Sequence, residues 1–187
     1  MKQLGNTLEQ QIMPPELFEH YVNARTNTYA SGKEPVLGLN GLNNKDYYGY
    51  RYPEEPKEDD HFVYEDNFRN IEGRPGNFVG YELNRDASGK VRTHYGYEGR
   101  LTDDGLKLGE NAVDSILKRF LRENITEVRF GKKVRFVIED GQDTWVYEGN
   151  GKIEDRGLER WVWTDEARIK LNGNLVYELG GIGAYYP

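Results

Sequence analysis

A pattern in the middle of this chain returns near its end. Phe62-Val63-Tyr64-Glu65 is echoed by Trp145-Val146-Tyr147-Glu148, and Phe78-Val79 with Glu82 is echoed by Trp161-Val162 with Glu166. Gly89 and Gly96 recur as Gly173 and Gly180, so the offset holds at 83–84 positions with one small indel. Self-similarity at a fixed period marks one supersecondary unit used twice. The echoed pieces are short, aromatic and bounded by turn residues, which is strand chemistry. The expected fold class is therefore α+β: two pseudo-repeated antiparallel β-units, an N-terminal helix and one long central helix within a single domain. The two units are expected to enclose a hollow lined by Tyr and Trp.

At 187 residues the chain can bury a sizeable core as one domain, and no Pro/Ser-rich linker divides it. Residues 1–14 are expected to form a loose arm, 15–108 a helix plus the first β-unit, and 109–187 a helix plus the second. The formal net charge of −7 argues against a long nucleic-acid groove, which needs a basic face to release counterions. It leaves room for a small anion held by a local Arg. Cysteine is absent, which excludes disulfides, thiolate zinc sites and a Cys nucleophile together. That fits a reducing, cytoplasmic setting. No apolar run is long enough to span a bilayer or to act as a leader. Tyr outnumbers Phe by 14 to 7. Each hydroxyl wants a partner, so the excess points to half-wet sheet faces, interfaces or clefts, with ordinary strand filler as the other reading.

Pro14-Pro15 followed by Glu16 opens a helix, because Pro is preset for a first turn and an acid suits its positive end. Leu17, Phe18, Tyr21 and Val22 keep to one face of it. A Gly/Asn-rich stretch from Leu37 to Lys45 reads as irregular loop, and the acidic, Pro-punctuated run 53–60 as a solvated one. Strands are expected at 61–68, 77–84 and 91–98. Helical spacing of Val113, Ile116, Leu117, Phe120 and Leu121 predicts a helix over 110–124. Beyond it, strands are expected at 126–130, 133–139, 143–148, 159–164, 167–171 and 174–179, with Asn172-Gly173 as a hairpin turn.

These landmarks, in this order, resemble a bacterial family known as domain of unknown function 5680. The matching pieces are Thr28-Tyr29-Ala30 with Gly32, Asp46 ahead of Tyr48, and Tyr64-Glu65-Asp66 leading into Phe68. A Phe-x-Gly-x-Glu motif stands at Phe78, Gly80 and Glu82, and a Tyr-x-Gly motif at Tyr97-Glu98-Gly99. Phe120-Leu121 and the closing Val176-Tyr177-Glu178 with Gly180-Gly181 complete the pattern, which covers most of the chain from Phe18 onward. The second repeat departs from it, with Trp161, Trp163 and Asp165 at the Phe-x-Gly-x-Glu positions, and Arg129-Phe130-Gly131 stands where Arg-Gly-Pro would be expected. Members of the family often follow a helix-turn-helix regulator, so the resemblance implies a freestanding version here. It also implies a ligand-binding or sensing role by context, since fold alone does not supply function.

Catalytic constellations are sparse. His20, His61 and His94 are scattered without metal-ligand spacing, so neither a metal nor a cofactor is expected. Glu82 and Glu98, with His94 nearby, are the residues a hydrolase or lyase would use as acid and base; strand positions facing water or an Arg are the other reading. There is no P-loop, dinucleotide fingerprint or nucleophile elbow, and Gly180-Gly181-Ile182-Gly183 has no helix after it to cradle a phosphate. Rings and guanidinium groups remain. The candidate ligand-binding residues are Tyr48, Tyr50, Arg51, Tyr52, Tyr64, Arg74, Tyr81, Glu82, His94, Tyr97, Trp145, Trp161 and Trp163. Stacking on such rings is worth roughly 1–3 kcal/mol per base, and Arg adds a bidentate anion contact. The expected function is non-enzymatic capture of a nucleotide-like, anionic small molecule, by analogy with phage sponges of immune signalling nucleotides. The alternatives are a hydrolase or lyase acting on such a ligand and a protein–protein interaction module. The expected partners are that small molecule and a second copy in a homodimer, with no long nucleic acid and no membrane.

Overall fold

Nine strands are found among the described residues, and burial alternates most regularly in the fourth, fifth and eighth of them. They are β1 (Val36–Leu37), β2 (Tyr48–Tyr52), β3 (Phe62–Asn70), β4 (Asn77–Asp86), β5 (Val91–Leu101), β6 (Val134–Asp140), β7 (Asp143–Asp155), β8 (Trp161–Leu171) and β9 (Asn174–Tyr185). Among the described residues three α-helices accompany them: α1 (Pro15–Asn27), α2 (Asp103–Leu108) and α3 (Glu110–Glu123). This computed structural model describes residues 13–38 and 47–187. Nearly all of the expected N-terminal arm, most of the Gly/Asn-rich loop and Asp46 lie outside the described residues.

The strands form one antiparallel sheet in the order β1-β2-β3-β4-β5-β9-β8-β7-β6. The chain thus draws two meanders whose last strands meet, from Thr93↔Tyr185 through Leu101↔Tyr177. The echoed tetrapeptides sit on β3 and β7, and Phe78-Val79 and Trp161-Val162 begin β4 and β8. The expected α+β arrangement, two β-units around one long central helix, is overturned: the chain is mostly one nine-stranded antiparallel sheet with three short helices. The reason lies at the β5–β9 seam. Each meander ends in a strand with unpaired backbone groups, and pairing the two edges satisfies both rows at once. The meanders lie side by side in one sheet and do not face each other across a hollow.

One face of the sheet is a pavement of rings laid over glycines. The Tyr97 ring covers Gly80, Tyr95 covers Gly181, Trp163 covers Gly183 and Phe78 covers Gly99; a β-carbon on any of these glycines would overlap the ring. Tyr95 and Trp163 are fully buried and stack with centroids 6.4 Å apart and planes 9° from parallel. Gly weakens a strand, and a neighbouring aromatic that shields its backbone restores the loss.

Onto this face α3 lays Val113, Ile116, Leu117, Phe120 and Leu121, all buried. Burying each such side chain stabilises by roughly 1.5–3 kcal/mol. Helix α1 buries Leu17, Tyr21 and Ala24 and, on the same stripe, Arg25. Three expected strands differ. Residues 126–130 form turns that carry the buried Val128 and Phe130, and the strands expected at 159–164 and 167–171 are merged in the single strand β8, which begins at Trp161. The opposite sheet face carries charge ladders: Glu65 between Arg51 and Arg85, Glu178 between Arg100 and Arg168, and Glu148 between Arg135 and Lys170. Cross-strand opposite charges let an antiparallel sheet leave one face to water. No described helix is long and apolar enough to cross a membrane.

Candidate functional site

An arginine on an apolar helical stripe must find an anion, since an unpaired buried charge is prohibitively costly. Arg25 finds Glu82 of β4. Its Nη2 lies 2.8 Å and its Nε 3.0 Å from Glu82 Oε2. Tyr21, one turn earlier on α1, donates its hydroxyl to the same oxygen and accepts from Arg25 Nη2 at 2.9 Å. The other carboxylate oxygen, Oε1, faces Arg129 Nη1 at 3.4 Å. The three side chains are only 6%, 2% and 9% exposed (Arg25, Glu82, Arg129). Two guanidinium groups therefore share one carboxylate beneath the helices.

Arg129 reaches this position from a strained backbone. Its φ is +66°, a region in which a residue with a side chain costs on the order of 1–2 kcal/mol. The conformation turns the guanidinium inward, 5.7 Å from the centre of the Tyr97 ring.

Beside the ion cluster, Tyr97 donates its hydroxyl to Asp66 Oδ1 at 2.6 Å. Asp66 is the direct cross-strand partner of Glu82. Burial, and then the Glu82 charge next to it, push the Asp66 carboxyl well above its ordinary range. Across the sheet Asp165 accepts the Gly131 amide at 2.8 Å, and burial pushes it up to about 6. Asp165 Oδ2, the Tyr95 hydroxyl and the Trp163 indole nitrogen are buried without a hydrogen-bond partner.

A cavity of about 220 Å³ opens between α3 and the first meander. Its rings come from Tyr29, Phe68, Phe78, Tyr97 and Tyr177, and its aliphatic wall includes Val113, Leu117 and Leu101. Arg129 and Asp66 supply its inner polar groups, while Asn70, Glu110, Asn111 and Asp114 supply the others. Asp114 is engaged by the Tyr29 hydroxyl at 2.6 Å and by Lys118 at 2.8 Å. Among the described residues no cluster of His, Asp and Glu has the form of a metal site.

Of the residues singled out in the sequence, Tyr64, Glu82 and Tyr97 meet here. Tyr64 and Glu82 border the small crevice beside the ion cluster, and Tyr97 lines the cavity itself. The rest do not converge. Tyr50 is buried and stacks on Phe68, which also carries the more exposed Tyr48; Tyr52 packs on His20. Arg51, Tyr81 and His94 lie on the laddered face, with Arg51 on Glu65 and Tyr81 beside His94. Arg74 is exposed in the β3–β4 turn. Trp145 and Trp163 are core residues, and Trp161 packs against that core. Glu98 is exposed on the laddered face while Glu82 is buried under α1, so they cannot work as an acid–base pair.

Arg25 and Arg129 escaped the reading of the sequence. Arg25 carried a signal, since it continues the stripe Leu17, Tyr21, Ala24 that a buried helix face requires. Of the other cavity residues, Tyr29, Asp66, Phe68, Phe78 and Tyr177 were visible as pieces of the family motifs but not as site residues.

The fold and site define a one-sheet domain with a buried ion cluster and an aromatic cavity next to it. Comparison of the chain with protein-family models, curated proteins and solved structures finds no match. The resemblance noted above therefore rests on its motifs alone.

Proposed function

We propose that the chain is a small-molecule binding protein whose site is the cavity under α3, and that its ligand presents a planar ring of nucleobase scale and an acidic or hydrogen-bond-accepting edge. The cavity carries the argument: about 220 Å³, walled by rings, with one guanidinium and one carboxyl raised by burial at its inner end. About 150 Å³ suffices for benzene, and drug-sized ligands occupy about 300 Å³ or more. The space suits one or two fused rings. A signalling nucleotide would seat its base there and leave its phosphates at the polar rim, which is the form a sequestering role takes in this fold. Arg129 is the anion anchor, because its bond to Glu82 is long and Arg25 already serves that carboxylate.

Titration calorimetry against nucleobases, nucleosides, mononucleotides, cyclic nucleotides and ADP-ribose tests this. At least one should bind, Arg129→Met should weaken it at least about tenfold, and Val113→Phe, which fills the cavity, should abolish it. Silence across the panel, or binding indifferent to both variants, refutes the proposal.

A second reading rests on Asp66. A carboxyl raised by burial, bonded to a Tyr and placed in a cavity, is the arrangement a general acid uses. Ligand recovered unchanged after heat denaturation supports capture; recovered product supports this hydrolase or lyase reading.

A further inference from the structure

Strand β6 ends the sheet, and neither a proline nor a bulge guards its edge; its charged residues are Arg135, Glu139 and Asp140. All seven of its residues pair with β7 without a bulge, from Val134↔Gly149 to Asp140↔Asp143, and it contains no Pro. Among the described residues no strand lies on its other side. Val137, at its centre, is 44% exposed. Such an edge presents a row of backbone donors and acceptors to any strand that can align with it.

We propose that β6 pairs antiparallel with β6 of a second copy of this chain, with Val137 on the two-fold axis, joining two sheets into one. The side chains select this occupant and this register. Reading outward from Val137, Arg135 lies two residues before it and Glu139 two residues after it, on the same face. The axis puts each Arg135 directly opposite Glu139 of the other copy, twice. Lys133 falls diagonally across from the same glutamate, within reach of a long side chain. On the other face the half-buried Phe136 meets Ile138 of the second copy. A strand running parallel instead would set Arg135 beside Arg135. A register slipped by one residue would set Arg135 opposite Ile138 or Asp140 and turn the exposed set of one strand onto the face of the other's half-buried set. Arg135 is only loosely held by Glu148, at 4.0 Å, and is 62% exposed, so it can turn outward.

Sedimentation velocity over about 1–100 µM decides the matter. The wild-type chain should dimerise in that range. Arg135→Glu and Glu139→Arg, each of which sets like charges opposite one another twice, should each weaken the dimer at least about tenfold. The double variant Arg135→Glu/Glu139→Arg restores the opposed signs and should recover dimerisation to within about threefold. A wild type that stays monomeric, single variants that dimerise normally, or a double variant that does not recover each overturn the proposal. Should a reversal fail to fold, Val137→Cys replaces it: the chain has no other cysteine, and directly opposite residues approach to about 4.5–5.5 Å, within disulfide reach. Oxidation would then give a covalent dimer, and its absence overturns the pairing.

Discussion

Glu82→Gln removes one charge and almost no volume, and the structure sets the consequence. Arg25 and Arg129 stay behind with side-chain exposures of 6% and 9%, each deprived of its anion. Tyr21 also loses the charged acceptor of its hydroxyl. Leaving a buried ion without its partner costs about 3–5 kcal/mol. A domain of this size is stable by about 5–15 kcal/mol, so about a fifth or more of the total is at stake. With a urea slope of about 2 kcal/mol per molar, the midpoint should fall by about 1.5–2.5 M. The thermal midpoint should drop by about 6–20 °C. The buried Trp163 and Trp145 report unfolding through their fluorescence. Replacing the whole cluster, as Arg25→Met/Glu82→Leu/Arg129→Met, should recover most of the loss, since apolar substitutes of similar volume remove the stranded charges. A midpoint shift below about 0.5 M for Glu82→Gln refutes the reasoning, and so does a triple variant as weak as the single one.

The glycine pavement predicts a contrast along β9. Gly183→Ala drives a β-carbon into the Trp163 indole and should cost about 1–3 kcal/mol, whereas Gly180→Ala meets open space and should change stability by less than about 0.5 kcal/mol; equal effects in chemical denaturation would contradict the ring-over-glycine packing. The buried carboxyls set a pH dependence. Asp165, at about 6, and Asp66, also raised, bind protons in the folded chain that the unfolded chain releases. Their contribution is complete below about pH 4, the unfolded value, and is lost as pH rises through the folded values. The thermal midpoint should accordingly be higher near pH 5.5 than near pH 8, and Asp165→Asn should flatten that slope; a midpoint that climbs toward pH 8 contradicts it.

What was legible in the sequence was local. The α3 stripe was read from three- and four-residue spacing, and all five of its apolar residues are buried. Asn172-Gly173 was read as a hairpin turn, and both residues have positive φ, 49° and 88°. The sheet seam was not legible, because pairing of β5 with β9 joins residues more than 70 positions apart, and no local pattern says whether two meanders face each other or lie edge to edge. The ring alternation was seen, but a ring over a glycine and a ring beside a ligand look the same in one dimension. Trp163, read toward a cleft, fills the space that Gly183 leaves. The ion cluster joins Arg25 to Glu82 across 57 positions, and Arg129 enters through a left-handed turn where a strand was expected. Neither is encoded in spacing.

Strand β9 is made after all the other strands and yet lies among the innermost, between β5 and β8. On the ribosome, the earlier meander must therefore wait with β5 uncovered while some eighty further residues are synthesised. Once β8 has been made, near the end of that interval, two complementary open flanks, β5 and β8, coexist on one nascent chain, and whatever meets them first competes with the strand still in the exit tunnel. A translation pause before residue 174 would lengthen that exposure, so chaperone demand in this fold should depend on the tempo of its final stretch more than on the stability of the finished sheet.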